Sequence, residues 1–153
     1  MIFETHAHFD DKAYDADRKG ILSTLRENGI EYLINVAADL KSVDTTFELT
    51  QTYGNVYGAL GVHPSEVEEL TDESIAYISK LCQNEKVVAV GEIGLDYHWP
   101  EPGKDVQKEW FVRQLEMAKE VNLPVVIHSR DAAKDTIDIM QSDAARGLYS
   151  YYV

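Results

Sequence analysis

Short β-branched runs alternate along this chain with longer segments whose apolar residues recur every three to four positions. The runs predict strands at Ile2–His8, Tyr32–Val36, Val56–Gly61, Val87–Gly91 and Pro124–His128. Between and after them, amphipathic stretches predict helices at about Asp15–Asn28, Leu40–Tyr53, Asp72–Cys82, Lys104–Val121 and Asp131–Gln141. In Lys104–Val121, Phe111, Leu115 and Ala118 fall on one stripe flanked by Trp110, Met117 and Val121. Lys108, Arg113, Glu116 and Lys119 take the wet side. Asn28-Gly29 is expected to stop the first helix, and Thr71 before Asp72-Glu73 to cap the third.

Five β-α units in a row, with strands that are nearly continuous in apolar residues, predict a parallel sheet covered by helices. That pattern alone leaves open a doubly wound sheet or part of a (β/α)₈ barrel. No linker, repeat or low-complexity tract divides residues 1–153, which are expected to form a single domain.

Polar placement favours the barrel. On a regular first strand His6 and His8 share a face with Glu4, while Phe3, Thr5 and Ala7 take the other. His63 follows the third strand, Glu92 the fourth, and His128 ends the fifth. Four strands thus deliver imidazole or carboxylate groups at their C-terminal ends, where (β/α)₈ barrels build their sites. Taken singly, each group has a plain structural reading. A His-x-His on a strand is more often packing, a lone Glu92 suits a helix cap, and His128 a satisfied core histidine. Their conjunction points to a site for divalent ions, Zn²⁺ or Mn²⁺ among them, with a carboxylate able to bridge two. Gly94, Asp96 and Ser129-Arg130-Asp131 read as turns after the strands. His98, in the loop His98–Gly103, reads as a surface or lid residue.

Charge narrows the chemistry. Fourteen basic against twenty-seven acidic residues give a formal charge of −13, so no broad cationic surface is available to a nucleic acid. A polyanionic substrate would need local help from bound cations. The lone cysteine, Cys82, reads as a reduced core thiol in a cytoplasmic protein, and no apolar stretch approaches the ~20 residues of a membrane span.

Four blocks, Glu4-Thr5-His6-Ala7-His8-Phe9-Asp10, Gly61-Val62-His63-Pro64, Gly91-Glu92-Ile93-Gly94-Leu95-Asp96-Tyr97 and Pro124–Ala132, resemble in order and spacing the signatures of TatD-type deoxyribonucleases. The resemblance runs from residue 1 to about 148. It implies an amidohydrolase-like TIM barrel, here five β-α units and a candidate sixth strand, and metal-dependent hydrolysis of DNA phosphodiesters. By position it implies metal ligation by His6, His8, Glu92 and His128, with Glu92 bridging two divalent ions (Zn, Mn or Mg). His63 and Arg130 would face the substrate phosphate. It assigns no catalytic acid or base within the chain. Glu4 stands where the family usually has aspartate.

The family pattern continues into further strands that carry another histidine and an aspartate, whereas this sequence reads Tyr149-Ser150-Tyr151-Tyr152-Val153 and stops. The expectation is therefore an incomplete site with little activity by itself, and self-association or pairing with a missing C-terminal fragment. Competing readings are a truncated non-catalytic fragment, and a superfamily hydrolase of amides, lactones or phosphotriesters. Glu92 argues against the latter, whose fourth strand often carries a modified lysine.

Overall fold

The structure, a computed structural model, describes residues 1–152. Six parallel strands pair in chain order: β1 (Ile2–Ala7), β2 (Ile30–Val36), β3 (Val56–Ala59), β4 (Val87–Asp96), β5 (Val125–Arg130) and β6 (Ser150–Tyr152). The helices between them are α1 (Arg18–Ser23), α2 (Leu40–Thr52), α3 (Asp72–Leu81), α4 (Lys104–Val121) and α5 (Ala133–Met140). The candidate sixth strand is thus present through Tyr152; Val153 lies outside the described residues.

Sequential parallel pairing curls the sheet into a half-barrel, and its two faces are chemically distinct. Leu33 and Val56 pack against Leu22, Leu25 and Leu49 on the helical side. Farther along, Val90, Ile93, Val125 and Ile127 pack under Phe111, Leu115 and Ala118 of α4. The opposite face carries a small cluster made of strand residues alone: Ile34, Val36, Ala59, Ala89 and Val126. Helices on one side only are the mark of a barrel arc, where a doubly wound sheet is covered on both.

Local chemistry explains most boundaries. Thr71 caps α3 and Asp39 caps α2, each trading hydrogen bonds with a serine three residues on. Asn122, in the left-handed conformation, ends α4. The first helix is shorter than its periodicity suggests: α1 is six residues, and turns from Thr24 carry the chain to Gly29. Arg18 explains its late start, because its guanidinium is drawn back to the carbonyls of Phe9, Asp10 and Asp11 and tethers the preceding loop.

Strand β4 is longer than its apolar run. It continues through Gly91 and Glu92 to Asp96, and every residue from Ala89 to Asp96 is buried. Two buried glutamines on the apolar stripe of α4 hold the strand ends. Gln107 bonds both the N–H and the carbonyl of Asp96, and Gln114 does the same for Val62. Cys82 is buried at the end of α3, and burial pushes its thiol up to about 12, as befits an inert core residue.

Candidate metal centre

Two β-bulges aim the site. In β1, Glu4 registers with Leu33 but Ala7 with Asn35, so three steps on β1 span two on β2. In β4, Val90 registers with Val125 and Ile93 with Ile127, again three steps against two. Each bulge inserts one extra residue, which re-aims the side chains around it. His6 lies within the first bulge and Glu92 within the second. The strict alternation read from the sequence therefore fails in β1. Glu4 and Ala7, of opposite parity, both align with helix-facing residues, and Phe3 aligns with Tyr32, their rings 5.8 Å apart. Glu4 does not join His6 and His8; its carboxylate instead accepts a hydrogen bond from the His6 N–H at 3.1 Å.

Close packing of β4 on β5 brings the rest together. A Cβ on Gly91 would fall 2.6 Å from Val126 Cβ, and one on Gly94, at φ 141°, would fall 2.0 Å from the His128 carbonyl oxygen. Only glycine permits that approach.

Glu92, 6% exposed, is the hub. One oxygen lies 3.3 Å from His6 Nε2 and 3.9 Å from His8 Nε2. The other lies 2.9 Å from His128 Nδ1. Two groups of donor atoms consequently meet on the one carboxylate, His6 with His8 and Glu92, and His63 with Glu92 and His128, each with its donor atoms within 4.8 Å of one another. Imidazole plus carboxylate at this spacing is a donor set for Zn²⁺, Mn²⁺ or a similar ion, and a carboxylate with an oxygen directed to each group suits a pair. A backbone contact orients His8 for ligation, since its Nδ1 donates to the Val36 carbonyl at 2.8 Å and leaves the Nε2 lone pair toward the cluster.

The remaining residues sort by contact. The His63 ring lies 4.2 Å from that of His128, and Ser65 Oγ is 2.8 Å from its Nδ1. Arg130 ends β5 with an exposed side chain and is not among the residues lining the cavity over the cluster. His98 is exposed, 3.4 Å from Asp131. Asp96 is the residue that sequence reasoning misses, because its glycine-rich surroundings read as a turn. It is buried at the end of β4 and its Oδ2 stands 3.0 Å from His128 Nε2. The signal is parity: Glu92, Gly94 and Asp96 share one face once the strand is allowed to continue.

Electrostatics follow from this geometry. Burial works to raise the Glu92 carboxyl, but hydrogen bonds from His128 and His6 and the nearby His63 outweigh it and hold the group far below the usual carboxylate range. Burial likewise opposes charge on His128, yet its bonds to Glu92 and Asp96 prevail and raise its pKa. His63 goes the other way, lowered by burial and by His128 beside it.

A one-sided β/α arc with histidine and carboxylate groups gathered at its C-terminal strand ends is the arrangement of a barrel of the (β/α)₈ type with a candidate metal centre where such barrels build their sites. The family model for TatD-related DNases matches residues 3–152, and the chain belongs to that family. A Bacillus subtilis protein named as an uncharacterized metal-dependent hydrolase, YabD, is 40% identical over 148 residues, 97% of this chain and 58% of the relative. A Mycobacterium tuberculosis protein named as an uncharacterized metal-dependent hydrolase, TatD, is 32% identical over 153 residues, 94% of this chain and 57% of its own length. The crystal structure of the Escherichia coli TatD homologue YjjV superposes with a TM-score of 0.83 at 31% identity, covering 92% of this chain and 55% of that one. The chain thus spans a little over half the length of these relatives. No helix among the described residues is long and apolar enough to cross a membrane.

Proposed function

We propose that the chain carries the ligand-bearing part of a divalent-metal-dependent hydrolase that cleaves phosphodiester bonds of DNA. The observation that carries this reading is the Glu92 carboxylate shared by two donor groups. His6, His8 and Glu92 would hold one ion, and Glu92 and His128 a second. Bound ions supply Lewis-acid activation of water and neutralise charge that develops at phosphorus. His63, beside His128 at the cavity wall, contacts the phosphoryl group. Asp96 acts through His128, fixing the ring by its hydrogen bond. The open cavity of about 720 Å³ above the cluster admits a nucleotide-sized group. A net charge of −13 leaves recruitment of DNA to the ions and to cations within this cavity. A reduced Cys82 supports a cytoplasmic setting.

The test is nucleotide release from single- and double-stranded DNA with Mg²⁺, Mn²⁺ or Zn²⁺. It is run on the chain alone and complemented with the segment of the Bacillus subtilis relative that this chain does not match. Metal-dependent release by the complemented assembly that vanishes in a His6→Ala, His128→Ala variant is the expected result. Equal release by both would mean contamination. An assembly that leaves DNA intact but opens an amide or lactone would replace this reading with the other hydrolase class.

A further inference from the structure

The cavity that opens over Glu92 also carries two cations which the metal centre does not use. Lys12 begins the 3₁₀ turn after β1, and Lys41 is the second residue of α2, just past the end of β2. Both are exposed, both line the same cavity as His6, His63 and His128, and neither has an ion-pair partner among the described residues. Half of the chain's other lysines and arginines, Arg18, Arg26, Lys108, Arg113, Lys134 and Arg146, are paired with carboxylates.

The acids that share the cavity have other partners. Asp10 accepts from Asn35 Nδ2 at 2.8 Å, Asp11 from the Ala13 N–H at 2.7 Å, Asp39 from the Ser42 N–H at 2.6 Å and Glu66 from Ser65 Oγ at 2.9 Å. Each of these acids thus has a hydrogen-bond donor of its own, and none lies within ion-pair distance of Lys12 or Lys41. Among the acids Asp10, Asp11, Asp39, Glu66 and Glu92 on the same wall, Lys12 and Lys41 are the lysine or arginine side chains, so they are the cavity's own permanent cations for an anionic group.

We infer that Lys12 and Lys41 hold a phosphate that flanks the scissile one, so the substrate is a strand with at least two consecutive phosphates rather than an isolated phosphodiester. This rests on the phosphodiester reading above and deepens it. Ammonium groups suit this role because they neutralise a phosphate as point charges without demanding one orientation, which tolerates any base sequence. Metal ions at the reacting phosphate and lysines at its neighbour divide the binding: one pair of groups carries chemistry, the other register along the strand.

The experiment measures binding of two thymidine probes with cleavage-resistant phosphorothioate linkages to the manganese-loaded protein by calorimetry. One is a dinucleotide with a single linkage and the other a trinucleotide with two. The wild-type protein is expected to prefer the trinucleotide about tenfold, the worth of one charge-assisted contact. A Lys12→Ala, Lys41→Ala variant should lose that preference and keep its affinity for the dinucleotide. A Lys12→Arg, Lys41→Arg variant should restore it. The salt slope for the trinucleotide should fall by about 0.7 in the alanine variant, the share of one single-strand phosphate. Manganese affinity, read on the same samples, reports separately on the metal centre. If manganese binds as before and the preference persists without the lysines, the inference fails and the proposed function stands. If the wild-type protein binds manganese and neither probe, the inference fails, and nucleotide release by the complemented assembly decides the proposed function separately.

Discussion

The Glu4 carboxylate accepts a hydrogen bond from the backbone N–H of His6, two residues ahead in the same strand, at 3.1 Å. A bulge takes that stretch of backbone out of regular register with β2, and the acid supplies a partner for the amide. Glu4 is therefore placed to support His6 rather than to join the donor cluster. Glu4→Ala should weaken divalent-metal binding about tenfold, within the ~10–100-fold usual for groups that orient ligands. Glu4→Gln keeps an acceptor oxygen and should stay close to wild type. Manganese titration by calorimetry checks both.

Gly94 sets the distance between the two strands that carry Glu92 and His128. At φ 141° and with a Cβ position 2.0 Å from the His128 carbonyl oxygen, it cannot become alanine without moving β5. Gly94→Ala is expected to destabilise the chain by about 2 kcal/mol or more, in the range of strained backbone positions. Metal affinity should fall with stability. Urea unfolding and manganese titration on the same variant make the comparison.

Gln114 is wholly buried and bonds both polar groups of Val62, the residue before His63. Gln114→Leu keeps the volume but strands a buried N–H and carbonyl. The expected loss is about 2–6 kcal/mol, at ~1–3 kcal/mol for each unsatisfied group. The urea midpoint should drop with an unchanged slope.

These three positions also mark how far the sequence can be read. The strand order, the one-sided helices and the identity of His6, His8, Glu92 and His128 as a converging set are legible, because apolar periodicity and strand-end placement are local signals. The bulges are not. An extra residue leaves no mark in an alternation that is already broken by polar groups, so strict parity puts Glu4 on the wrong face and the apolar run ends β4 at Gly91. Asp96 is lost with that ending. Gln107 and Gln114 show only as gaps in an otherwise apolar stripe, since their partners are backbone groups outside the helix, 11 and 52 residues back. Arg130 illustrates the opposite limit: a motif neighbour of His128 that the fold leaves exposed and off the cavity wall.

Metal binding should compete with a proton on His128. In the metal-free protein its two ring nitrogens face Glu92 and Asp96, and despite burial these bonds raise its pKa above the ordinary imidazole value of about 6.5. The stability contributed by this imidazolium is fully present below the unfolded pKa and is lost as pH rises through the raised one. Metal affinity should run the other way, rising about tenfold per pH unit until that value is passed and then levelling, as one proton is displaced per ion. NMR titration of the His128 ring in the metal-free protein gives the pKa, and manganese titrations across pH give the slope. A slope of zero through that range would remove His128 from the ligand set.

Metal content per chain decides whether Glu92 is the shared carboxylate of one metal centre. Wild-type protein and a His6→Ala, Glu92→Ala variant are equilibrated with Mn²⁺ or Zn²⁺, freed of loose ions by gel filtration and measured by mass spectrometry of the metals. Bound metal is expected in the wild type and nearly none in the variant, with circular dichroism unchanged. A folded variant that keeps the full wild-type metal content would place the ions elsewhere and contradict the assignment of Glu92 as their common ligand.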